Sequence, residues 1–255
     1  GIDVFDVTAA GISGNLSGAG EVDTFEIGAN QVVGGLIDGG NGADIVNLAD
    51  GSRVDGGAFG AAGNDQFNLT AGVITANLNG QANDDLFIFD DGVILIGTIN
   101  GGNDAGDEIQ GGNTATTYRI NSPNDGLLEG RLSGFVDVRN LTGGSGVDTF
   151  RFEGTGSLAG TIDGGSNLTD VLEGTNSSDS ITLTGTDAGD AVFNTVSTMF
   201  VSIENVDLRS SNDRFTVADG ATLTGTLNGG FGDDELIGPA AGATFNVTAD
   251  NSGEL

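Results

Sequence analysis

An aspartate recurs along this chain at a nearly constant interval, and that interval limits the fold more than any other feature. Asp3, Asp23, Asp44, Asp65 and Asp85 are spaced by 20, 21, 21 and 20 residues, and Asp107 follows after 22. Asp148, Asp170, Asp213 and Asp234 continue the series at intervals of 41, 22, 43 and 21, each long interval matching two units with a degenerate middle. The series divides the 255 residues into about 12 units, the last incomplete. Self-similarity at this period marks stacked repeats, in which one unit cannot bury its apolar face alone.

The register inside the unit is tight. Two residues after each marker stands an apolar residue: Phe5, Phe25, Val46, Phe67, Phe87, Ile109, Phe150, Leu172, Phe215 and Leu236. Four residues after it come Val7, Ile27, Leu48, Leu69, Phe89, Phe152 and Val217. Alternation over so few residues predicts a short strand with one buried face. A second beat, apolar-x-small-x-apolar, recurs in seven units, as in Val33/Gly35/Ile37, Ile74/Ala76/Leu78 and Leu223/Gly225/Leu227. Taken as one strand, it turns all three residues inward, the middle one small because the opposite wall of a narrow tube stands close. Asp-Gly pairs at Asp50-Gly51, Asp91-Gly92 and Asp219-Gly220 punctuate the beats. The expected fold is therefore all-β, a parallel β-helix (β-solenoid) of about 12 coils of 20–22 residues. The hand of parallel crossovers favours right-handed winding.

Two longer units interrupt the array, at residues 110–140 and 174–205, and each places an Asn eight residues before the next marker, Asn140 and Asn205. Ala243-Thr244-Phe245-Asn246-Val247 matches Thr116-Thr117-Tyr118-Arg119-Ile120 at an offset of 127, which predicts a larger repeat. No linker is visible, so residues 1–255 read as one solenoid segment. The chain opens and closes inside a repeat, which suggests a piece of a longer protein.

Composition narrows the chemistry. Acidic residues number 37 and basic residues 7, a net charge of −30 that disfavours nucleic acid and anionic membranes as partners. It favours cations, because so much like charge on a compact object repels itself. There is no Cys and no His, which removes disulfides, Cys- or His-based zinc sites and Ser-His-Asp or Cys-His catalysis. No apolar run is long enough to cross a bilayer.

The chemically loaded stretch is the glycine-rich acidic turn before the marker. Gly39-Gly40-Asn41-Gly42-Ala43-Asp44-Ile45-Val46-Asn47 fits the pattern G-G-x-G-x-D-x-U-x, where U is apolar. So do residues 143–151, ending in the unit of Asp148, and residues 229–237, around Asp233 and Asp234. Here the chain resembles the RTX (repeats-in-toxin) calcium-binding nonapeptide family. Through Asn140-Leu141-Thr142-Gly143-Gly144-Ser145-Gly146-Val147-Asp148-Thr149-Phe150 it also resembles the long repetitive adhesins and surface proteins of bacteria. The first resemblance implies calcium held between stacked turns, with Asp38, Asn41, Asp44, Asp65, Asp84, Asp85, Asp104, Asp107, Asp148, Asp213, Asp233 and Asp234 as candidate ligands. One departure stands out: the family sets nonapeptides back to back, whereas here one motif occurs per coil.

Elementary physics leaves two readings of these aspartates open. Stacked coils bring successive carboxylates to about one strand spacing, where they repel and calcium's six to eight oxygen ligands would relieve them. Alternatively, each Asp caps its own turn through a side-chain-to-backbone hydrogen bond. The functional expectation is a structural extracellular protein, an adhesin, surface-layer or filament rod, whose partners are its own neighbouring coils and further copies joined end to end or laterally. The alternative is a carbohydrate-active β-helix enzyme of the lyase or epimerase type, for which Tyr118 and seven scattered Arg are the available bases. Thr182-Leu183-Thr184 and Thr222-Leu223-Thr224 invite comparison with an ice-binding Thr array, but they do not recur in adjacent coils.

Overall fold

The computed structural model describes residues 1–102, 104–166 and 169–242, and the backbone of the strands Asn246–Ala249 and Ser252–Glu254. Ala243, Thr244 and Phe245, which carry most of the expected larger repeat, lie outside the described residues. Among the described residues there is no helix; the regular structure is strand, stacked in parallel as a β-solenoid. Contacts divide the chain into two compact units, residues 1–114 with 127–141, and residues 115–126 with 142–255.

In the first unit each regular coil has three strands. One coil runs Thr24–Ile27, Val32–Val33 and Ile37–Asn41; the next runs Ile45–Ala49, Arg53–Val54 and Ala58–Ala62. Like stacks on like. Phe25, Val46, Phe67, Phe87 and Ile109 form one parallel ladder, and Ile37, Ala58, Leu78, Ile99 and Phe135 another. These inward residues are buried almost completely. Burying a Phe, Leu or Ile side chain contributes about 1.5–3 kcal/mol, so cohesion repeats along both ladders from coil to coil. Aromatic neighbours stack face to face, with ring centroids 4.7 Å apart for Phe5–Phe25 and 4.9 Å for Phe67–Phe87.

The apolar-x-small-x-apolar beat is not one strand. Val33 ends a strand and Ile37 begins another, so residues 34–36 turn a corner of the coil. The small residue is required by the coil beneath, not by an opposite wall. A Cβ on Gly35 would strike the Asn15 side chain and lie 2.6 Å from the Gly14 backbone, and one on Gly56 would lie 2.7 Å from Leu36 N. Gly97, in the same position of a later coil, faces the carbonyl of Ala76.

The second unit carries a ladder of Tyr118, Phe150, Leu172, Val206 and Leu227, and another of Ile181, Phe215 and Leu236. Its long insertion is an antiparallel meander, a feature absent from the sequence reading. Ser180–Gly185, Ala188–Phe193 and Val196–Val201 pair antiparallel in succession, while the outer two pair parallel with Arg214–Val217 and Thr161–Gly165. Asn194 and Thr195, with φ of 49° and 71°, make the tight turn that such a hairpin needs.

The corner geometry makes a paired prediction. Gly35→Ala should destabilise the protein by roughly 1–3 kcal/mol through overpacking, whereas Gly14→Ala, whose Cβ would meet nothing within 4 Å, should be nearly silent. Comparing the two melting curves against wild type tests this; equal losses would return the cause to something other than the coil beneath.

Candidate functional site

The acidic stretch is only partly a turn. Ile37–Asn41, Ala58–Ala62, Leu78–Ala82 and Ile99–Gly102 are strands that hydrogen-bond in register from coil to coil. Within each, one residue adopts positive φ at the same height: Gly40 at 100°, Ala61 at 80°, Gln81 at 80° and Gly102 at 137°. The second glycine of the motif thus suits a left-handed bend that alanine and glutamine tolerate at a cost of about 1–2 kcal/mol. Downstream of this bend the marker aspartate turns inward. Asp44, Asp65, Asp85 and Asp107 are at most 2% exposed.

These aspartates form a continuous hydrogen-bonded file. The backbone N–H of Asp23 donates to Oδ1 of Asp44 at 2.7 Å, that of Asp44 to Asp65 at 2.7 Å, that of Asp65 to Asp85 at 2.8 Å and that of Asp85 to Asp107 at 3.0 Å. Asp3 donates to Asp23 in the same way at 2.6 Å. The carbonyl of each marker is held as well: Asp44 O accepts the amide of Gln66 and Asp65 O that of Leu86, both at 2.9 Å. Each coil therefore grips both backbone groups of the marker in the coil before it. The aspartate does not cap its own turn; its partner lies about one full coil earlier.

The second unit repeats the device. Thr116 N donates to Asp148, Asp148 N to Asp170, and Asp170 N to Oε2 of Glu204. Asp179 N donates to Asp213 and Asp213 N to Asp234. Asp179 holds its own turn too, accepting from the amide and hydroxyl of Thr175. Glu204, 2% exposed, takes an aspartate's place where the long insertion displaces the repeat. Sequence reasoning missed it because residue type and spacing both change. The available signal was its neighbour Asn205, which binds Asp170 O from the position where Asn140 binds Asp107 O.

The second carboxylate oxygen has a different environment. Oδ2 of Asp23, Asp44, Asp65, Asp85, Asp107 and Asp213 is buried with no hydrogen-bond partner. In the regular coils it rests over a glycine five residues earlier: a Cβ on Gly39 would collide with Oδ2 of Asp44, and one on Gly60 with that of Asp65. The first glycine of the motif makes room for the acid. Burial raises Asp44 and Asp65 against the lowering effect of their backbone hydrogen bonds, Asp65 to about 6. Asp85 rises to about 8, with Asp65, Asp107 and Asp104 adding repulsion after burial. Asp107 and Asp213 rise to about 6, also chiefly through burial.

Of the remaining candidate ligands, Asp234 ends the second-unit file and the others lie outside the files. Asp38 is half-buried on the outward face of its strand, and Asn41, Asp84, Asp233 and Asp234 are exposed. Asp84 accepts the amide of Gly106 at 2.9 Å, and Asp104 that of Asn83 at 2.7 Å. Calcium needs six to eight oxygens around one point. In the regular coils Oδ1 is engaged and Oδ2 lies against glycine, and among the described residues no three acidic side chains converge on a common point. The arrangement does not fit a calcium cage.

Tyr118 is fully buried, stacks on Phe150 at 4.8 Å and donates its hydroxyl to Thr142 O at 2.9 Å. Arg119 and Arg151 pair with Glu153 and Glu173. A groove of about 420 Å³ in the first unit lies between residues 94–97 and 127–133, with mainly apolar walls. No family model, curated protein or solved structure matches the chain.

Removing one acceptor should expose the file's logic. In Asp65→Ala the buried amide of Asp44 loses its partner, a loss of about 1–3 kcal/mol. Hydrogen exchange read by NMR should quicken at Asp44 by about tenfold or more while the Asp85 amide, bonded to Asp107, stays protected. Unchanged exchange at Asp44 would contradict the clasp.

Proposed function

We propose that this chain is a structural repeat segment of an extracellular surface protein, a spacer whose coils are held by carboxylate clasps and not by bound ions. The observation that carries the reading is the employment of the buried acids. Side chains that in a catalytic or metal-binding protein would converge on one point are here distributed one per coil, each tied to the backbone of its predecessor. That arrangement supports cohesion along a stack. The net charge of −30 supports a surface that stays hydrated and resists collapse onto its neighbours, with cations acting by screening.

Two experiments test the two halves of the proposal. Circular dichroism in chelator should retain the full β signal, and the melting temperature in calcium chloride should match that in sodium chloride of equal ionic strength. A coil spectrum in chelator that refolds on adding calcium would reject the ion-free clasp. For placement, protease treatment of intact source cells should release peptides of this chain; their release only after lysis would reject a surface role.

A further inference from the structure

Val73 and Ile94 stand in register on neighbouring coils of the first unit, and Ile96 follows two residues on. These three point outward, 42%, 40% and 56% exposed, while Ile74 and Leu95 between them are buried. The strip runs into the groove of about 420 Å³ between residues 94–97 and 127–133, a volume within the range of small binding sites. Leu127 lines the facing wall. That wall is a tight turn, in which the amide of Arg131 donates to Leu128 O at 3.0 Å and Gly130 has a φ of 71°. The amide of Leu95 ties the strand Ile94–Ile96 to it, donating to Arg131 O at 2.8 Å. Both walls are thus fixed beforehand, and an occupant does not have to order them. Aliphatic side chains left in water beside such a groove, with polar groups at the rim, mark a contact surface.

Charge decides the occupant. Glu129, exposed, lines the facing wall, and the exposed Asp90 and Asp91 form the turn that leads into the strand Ile94–Ile96. The carboxylate of Asp91 is held in place by the amides of Asn113 and Thr114. The cation among the lining residues, Arg131, is drawn inward: Nε donates to Val93 O, Nη2 to Asp90 O, and the guanidinium lies 5.6 Å from the centre of the Phe89 ring. The rim that faces solvent is therefore acidic. A second copy of the chain would bring its own charge of −30 against it. We propose that the groove is a docking site for a basic, aliphatic peptide segment of a partner protein. Its aliphatic side chains fill the groove and cover Ile94 and Ile96, and its flanking Lys or Arg groups meet Asp90, Asp91 and Glu129. Burial of the strip supplies the affinity, and the acidic rim supplies orientation and speed of encounter.

Fluorescence anisotropy of the labelled peptide Lys-Ile-Lys-Val-Lys-Ile at physiological salt tests this on the whole chain. The peptide should bind, and Lys-Ser-Lys-Ser-Lys-Ser and Glu-Ile-Glu-Val-Glu-Ile should each bind at least about tenfold more weakly. Ile94→Ser combined with Ile96→Ser should weaken the lysine–isoleucine peptide by about tenfold or more. Glu129→Gln should weaken it less and flatten its dependence on salt. Met199→Ser, which alters a residue of the other unit about as exposed as Ile96, should change nothing. If the double variant does not fold, Ile96→Lys, at the most exposed of the three positions, is read in its place and should cost the same affinity. Absence of binding defeats the proposal. So does equal binding of the serine peptide or by the double variant, which would mean diffuse attraction to an acidic surface. Equal binding of the acidic peptide would defeat the assignment of a basic partner. A dimer in sedimentation that the double variant abolishes would give the groove to a second copy, and would also overturn the proposal.

Discussion

A hydrogen bond from a backbone N–H to the carboxylate one coil later holds this fold in register. Apolar ladders alone would tolerate slippage, since a ladder of Phe, Val and Ile is nearly as content with its neighbour displaced. The carboxylate is not so permissive. It is buried, it needs a donor, and the marker amide is the donor that stands at the right height. Hydrogen bonds to charged groups are worth about 1.5–3 kcal/mol when made, and an orphaned partner costs at least as much. Register errors are therefore penalised at every coil.

The glycine-rich motif takes on a coherent physical meaning in this light. Its first glycine clears space for Oδ2, its second bends the strand through positive φ, and its third, Gly42 or Gly63 at φ near 140°, passes so close to the previous coil that a Cβ would strike a carbonyl there. The same letters that resemble a calcium-binding nonapeptide here encode an acid packed between backbones. With one motif per coil, the aspartates line up in single file.

Much of the fold could be read from the residues. The positions two and four after each marker were legible because alternating burial has one cause, a strand with one wet face, and those residues do stack as expected. The corner at Gly35 was not, since a small residue between two apolar ones looks the same whether the strand continues or turns. The meander escaped because alternation carries no direction and Asn194-Thr195 lacks the glycine that usually betrays a tight hairpin. Asp44, Asp65, Asp85 and Asp107 stood out in the sequence as candidate calcium ligands, and the structure lines them up in one file, but their backbone partner was hidden: nearly every residue has an N–H, so no side-chain pattern announces which one an acid will take. Glu204 was hidden for the converse reason, its role surviving a change of residue.

The clasps also have a sense. Every marker acid in the first-unit file reaches toward the lower-numbered coil, so the marker amide there is satisfied by a residue that follows it in the chain. During synthesis the youngest loop always stands with its own amide wanting, and its arrival completes its elder sibling. Growth from the ribosome thus resembles laying courses of brick in which mortar comes with the upper brick, and a stalled chain is left raw at its newest edge alone.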